Sequence, residues 1–104
     1  MKIELLYFDD CPNYKKTLED VNELLKQEGV EAEIAMIRIE TQEEAEKLGF
    51  LGSPTLRIAG KDVDEKSRDS KEFGLKCRIY LVGDKILGSP PREMIMQTLK
   101  EAKV

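Results

Sequence analysis

Met1-Lys2-Ile3-Glu4-Leu5-Leu6-Tyr7-Phe8-Asp9-Asp10-Cys11-Pro12-Asn13-Tyr14 is the stretch that decides the fold. Ile3, Leu5 and Tyr7 alternate with Leu6 and Phe8, so a strand here carries apolar side chains on both faces, the pattern of a central strand covered on both sides. Asp9 and Asp10 are turn residues. Pro12 has its φ already near the helical value and no N–H to lose, which suits a first helical position. A helix is therefore expected to begin just after Cys11. Tyr14, Leu18, Val21 and Leu25 then recur at helical spacing, and Gly29 supplies the stop.

Beyond this strand–helix unit, Ala32 to Ile39 carries Ile34, Met36, Ile37 and Ile39, and reads as a second strand. A strand–helix–strand run of this length pairs its strands in parallel. Thr41 and Glu44 have the spacing of a capping box, so a short helix is expected there, with Leu48 packing and Gly49 ending it. Gly52-Ser53-Pro54-Thr55 leads into a third strand, Thr55 to Ala59, with a turn at Gly60-Lys61. Asp62 to Lys76 is a charged insertion without a convincing period, and a loop that long is either functional or disordered. Cys77 to Val82 is β-rich, and Gly83-Asp84 turns it toward Lys85–Leu87. Ser89, Pro90 and Pro91 then open a last helix, packed through Ile95, Leu99 and Ala102.

The 104 residues suffice for one domain, expected to span 1–104, with one modest core. Charged residues at 37% against 40% hydrophobic suit a globular chain. The amino-terminal apolar run contains Glu4 and lacks a cleavage-site pattern, and no run reaches the ~20 apolar residues of a membrane helix, so no membrane association and a cytoplasmic location are expected. A net charge of −4, with Lys and Arg interleaved among acids, argues against nucleic acid as a partner. With no histidine in the chain, a Cys–His or Ser–His pair is excluded and the commonest metal ligand is missing. Cys11 and Cys77 are the two cysteines, 66 positions apart, so there is no Cys-x-x-Cys pair and no zinc-ligand spacing. No bound metal or other cofactor is expected.

The order βαβα, then strands, then a helix resembles the thioredoxin and glutaredoxin superfamily. A cysteine at the start of the first helix and Gly52-Ser53-Pro54-Thr55 before the third strand carry the likeness. The resemblance implies an α/β fold: a βαβ unit followed by an antiparallel β-hairpin and a C-terminal helix, the central mixed sheet having helices on both faces. It implies that Pro54 is preceded by a cis peptide and lies against Cys11, that Cys11 and Pro54 form the catalytic centre, and that the backbone around Ser53 and Thr55 holds an extended thiol peptide. The departure is Cys11-Pro12-Asn13-Tyr14, where the superfamily has Cys-x-x-Cys or Cys-x-x-Ser. No resolving thiol follows locally.

The free amides and positive dipole end of a helix N-terminus favour a thiolate at Cys11, whereas Asp9 and Asp10 oppose one. Tyr14 is a candidate to offer its hydroxyl to a bound group, although it also begins the packing stripe. Cys77 is expected to be a small buried strand residue, since free cysteine is among the most buried types. Its place relative to Cys11 depends on strand order. If Thr55–Ala59 and Cys77–Val82 pair directly, Cys77 lies roughly 15–17 Å from the Pro54 end. If the charged loop climbs back and Lys85–Leu87 inserts between those strands, Cys77 starts near Cys11. Lys15, Lys16 and Arg57 are cations within reach of a carboxylate, but isolated surface cations are usually only solvated.

Three functions compete. The first is a monothiol oxidoreductase, in which Cys11 exchanges with a disulfide and an external thiol resolves the mixed disulfide; its partners are proteins or low-molecular-weight thiols. The second is a soft-metal binder holding Hg or Cu(I) between Cys11 and Cys77. The third is a non-catalytic module that docks a partner on the Pro54 turn.

Overall fold

The computed structural model describes residues 1–103. Strand β1 (Lys2–Tyr7) is central, as its two apolar faces require: it pairs in parallel with β2 (Glu33–Arg38) and antiparallel with β3 (Thr55–Ile58). The helix between β1 and β2 is α1 (Asn13–Glu28), ended by Gly29 at φ +62°. A second helix, α2 (Gln42–Leu48), follows β2. The Thr41 hydroxyl accepts from the Glu44 amide at 3.1 Å, and the Glu44 carboxylate accepts from the Glu40 amide, so the capping residues are the expected ones, with the return bond shifted one residue back.

Alternation along β1 sends Ile3 and Leu5 to one face and Leu6 to the other. Ile3 and Leu5 pack with Val21, Leu24 and Leu25 of α1 and with Ile95 and Leu99 of α3 (Arg92–Lys103). Leu6 packs with Ile39, Phe50 and Ala45 of α2. The mixed sheet thus carries helices on both faces. In α2 it is Ala45 that is buried, while Leu48 is 40% exposed, a reversal of the expected packing residue.

The C-terminal half departs from both expected strand arrangements. β3 turns at Ala59 and Gly60, φ +51° and +82°, and folds straight back as the two-residue β4 (Lys61–Asp62), giving the order β2-β1-β3-β4. Two successive positive φ values are what a tight type I′ hairpin demands. With β4 on that edge, neither Cys77–Val82 nor Lys85–Leu87 can pair along β3. They form a separate two-stranded sheet instead, β5 (Tyr80–Val82) with β6 (Lys85–Leu87). The charged segment between β4 and β5 is tied down along its length. It makes a 3-10 turn at Glu65–Ser67 capped by Asp64 and an Arg68 Nε bond to the Asp62 carbonyl at 2.9 Å; further on, the Gly74 amide reaches the Phe50 carbonyl at 3.0 Å. It therefore climbs back to the Pro54 end of the sheet.

Candidate thiol site

The β1–α1 turn places Cys11 immediately before Pro12, the N-cap of α1, with the Cys11 amide donating to the Phe8 carbonyl. Its side chain is 0% exposed. Cys11 Sγ donates to the Ser53 carbonyl at 3.4 Å, and Asn13 Nδ2 points at the sulfur from 3.9 Å. The Ser53–Pro54 peptide is cis, so Pro54 stands as expected and Cys11 lies against that turn. Asp9 is paired with Arg38 at 2.7 Å, which leaves Asp10 as the unpaired acid of this turn among the described residues.

The same turn is already occupied on its other side. The Ser53 amide donates to the Lys76 carbonyl at 2.8 Å and its carbonyl accepts from the Arg78 amide at 2.9 Å, a parallel bridge that sets Cys77 directly opposite Ser53. Bridged residues lie about 4.8 Å apart. Gly52, at φ +116°, makes room for this approach: a Cβ there would stand 3.0 Å from both the Lys76 carbonyl oxygen and Arg78 Cβ. The backbone that was expected to hold an extended peptide is thus filled by residues 76–78 of the chain itself. Ser53 and Thr55 are both 0% exposed, with the Thr55 hydroxyl donating to the Gly52 carbonyl. The Ser53 hydroxyl is buried without a hydrogen-bond partner.

Cys77 is exposed, against the expectation of a buried strand residue. The reason is alternation: Cys77, Ile79 and Leu81 face outward while Arg78 and Tyr80 face inward. Arg78 is the anchor. Its guanidinium makes two 2.8 Å bonds to the carboxylate of Asp62, approaches the Thr55 hydroxyl at 3.4 Å and lies 4.5 Å over the Tyr80 ring. Tyr80 in turn donates its hydroxyl to the Pro54 carbonyl. Burial alone would lower the Arg78 pKa, but the hydrogen bond to Asp62 and the surrounding negative groups hold it above its ordinary value. Burial likewise pushes the Tyr80 phenol up.

This scaffold brings the two thiols together. Cys77 is held above its ordinary pKa, first by its hydrogen bond to Cys11, then by burial, then by the negative charge of Cys11 and of Asp10. Tyr14 is not part of the pair: its ring stacks on Tyr7 with centroids 4.3 Å apart and packs on the core. Among the described residues no group of three or more His, Cys, Asp and Glu side chains gathers for a metal ion, and no helix is long and apolar enough to cross a membrane.

Arg78, Asp62, Gly52 and Asn13 were not singled out by the sequence. One signal was present: in Cys77-Arg78-Ile79-Tyr80-Leu81-Val82, a cation shares the Tyr80 face of a strand, and a buried cation demands a buried acid. No curated protein and no solved structure matches this chain. Residues 10–99, most of its length and all of the thiol site, match the family described as a domain of unknown function (DUF2703), and the chain belongs to that family.

Proposed function

We propose that this protein is a thioredoxin-like thiol–disulfide exchange protein that works with two thiols, Cys77 and Cys11. The observation that carries the reading is the backbone bridge from Ser53 to Cys77, on the same residue whose carbonyl accepts from Cys11 Sγ. The distant cysteine thus supplies the second thiol that Cys11-Pro12-Asn13-Tyr14 lacks. Exposure assigns the order: an external disulfide meets Cys77, and Cys11 is reached only from within.

The Cys77 thiolate attacks one sulfur of a substrate disulfide and expels the other as a thiolate, leaving a mixed disulfide on Cys77. Cys11, deprotonated, then attacks the Cys77 sulfur and expels the second substrate thiolate. The protein loses two protons and two electrons and gains the Cys11–Cys77 disulfide, while the substrate disulfide becomes two thiols. A dithiol partner drives the reverse.

The test is native oxidation with a small disulfide followed by peptide mapping. Loss of both thiols as an intramolecular Cys11–Cys77 crosslink is expected. Covalent dimers alone, or two free thiols after prolonged exposure, would refute it. The same pair also suits a two-coordinate soft ion such as Hg(II) or Cu(I). That reading predicts tight stoichiometric metal uptake lost in Cys77→Ser, together with resistance of the apo protein to crosslinking.

A further inference from the structure

Cations scattered through the sequence converge beside Cys77. A cleft of about 340 Å³ opens at Cys77, bounded by Lys76, Glu72, Ile79 and Leu51. A second, of about 290 Å³, shares its Leu51, Ser67 and Ser70 wall and carries Arg57, Lys61 and Arg68. Glu72 faces Lys76 in the first cleft, but few free acids stand against the cations of the second. Asp62 is consumed by Arg78 at 2.8 Å, and Lys61 and Arg68 share the single carboxylate of Glu101 at 4.0 and 3.4 Å. Arg57 and Lys76 make no ion pair among the described residues. Arg57 spends Nη2 on the Leu48 and Gly49 carbonyls, which leaves guanidinium donors to spare. The second cleft is therefore locally positive on a chain whose net charge is −4, while at the mouth beside Cys77 Lys76 is balanced by Glu72.

We infer that these clefts select the substrate of the thiol pair: a low-molecular-weight disulfide bearing carboxylate groups. The inference rests on Cys77 being the attacking thiol. The sulfur of Cys77 itself stands among Cys11 and Asp10, so the cations act on the remainder of the molecule joined to it. A cleft with a surplus of one sign of charge, as the Arg57, Lys61 and Arg68 cleft has, concentrates oppositely charged substrate next to Cys77 and raises its on-rate. The clefts are of a size for small ligands, and Ser67 and Ser70 of the wall they share belong to the charged segment 62–76, whose tethering fixes it in place.

The experiment measures second-order oxidation of the reduced protein by dithiodipropionate, hydroxyethyl disulfide and cystamine, which are anionic, neutral and cationic. Each rate is divided by that of the urea-unfolded chain with the same disulfide, which cancels leaving-thiol differences. The anionic reagent is expected to outpace the cationic one by about tenfold, with the ratio shrinking at high salt. Lys76→Gln, at an exposed side chain, is expected to lower the ratio severalfold, and Arg57→Gln likewise. Equal normalised rates, or cystamine fastest, overturn the inference while leaving exchange standing. A ratio untouched by both substitutions overturns the assignment to these clefts. No folded-state exchange with any reagent overturns the dithiol reading and this inference with it.

Discussion

Asp62→Asn probes the anchor that holds Cys77 in place. The side chains of Arg78 and Asp62 are 6% and 7% exposed and joined by two 2.8 Å bonds, so their interaction is little screened by water. The amide keeps the shape but removes the charge, leaving a guanidinium buried against Tyr80 and Thr55 with only Asp64, at 4.0 Å, as a counter-ion. Breaking one side of such a pair costs about 3–5 kcal/mol. Against the ~5–15 kcal/mol that holds a typical domain together, this is a large fraction, and at ~4–8 °C per kcal/mol it lowers Tm by roughly 20 °C. Urea unfolding followed by circular dichroism measures it. The double variant Asp62→Leu with Arg78→Met separates a lost pair from a lost shape: replacing both partners by apolar groups is expected to recover most of the stability. A cost below ~1 kcal/mol for Asp62→Asn, the range of solvated surface pairs, would refute the account of Arg78 as a buried anchor.

Other consequences are open to measurement. The Cys11–Cys77 disulfide closes a loop of about 67 residues and is expected to stabilise the oxidised protein over the reduced one by about 4 kcal/mol, read as a shift of the urea midpoint; a destabilised oxidised form would mean the native backbone does not fit the bond. Because Cys11 raises the Cys77 pKa, Cys11→Ser is expected to enlarge the Cys77 thiolate fraction and speed its alkylation near neutral pH, and slower alkylation would contradict the contact. By the same linkage the folded state holds the Cys77 proton more tightly than the unfolded one. That stability is fully present below about pH 9 and is lost as pH rises through the folded pKa, a slope expected to shrink in Cys77→Ser to the part that the buried Tyr80 phenol contributes at higher pH. Gly52→Ala forces a Cβ onto the Lys76 carbonyl and Arg78 at a positive φ, and is expected to cost about 1–3 kcal/mol and to slow crosslinking.

Local chemistry fixed a good part of this protein. The two-faced apolar run of β1, the Pro12 start and Gly29 stop of α1, and the Thr41–Glu44 cap are matters of neighbouring residues, and all were legible in the sequence. So was the placement of Cys11 against Pro54, through the likeness of Gly52-Ser53-Pro54-Thr55 to a known turn. What the sequence left open was the partner of Cys11, because it depends on which strand fills one sheet edge. Two-residue β4 fills it, and a segment of that length carries no periodicity to read. Once Asp62 is held there, Arg78 must follow it inward to neutralise a buried carboxylate, and strand alternation then turns its neighbour Cys77 outward beside Ser53. The exposure of Cys77, its meeting with Cys11 and the gathering of Arg57 with Lys76 are therefore products of the tertiary structure. Each joins residues at least 16 positions apart, and burial and charge pairing, which no short window of sequence contains, decide them.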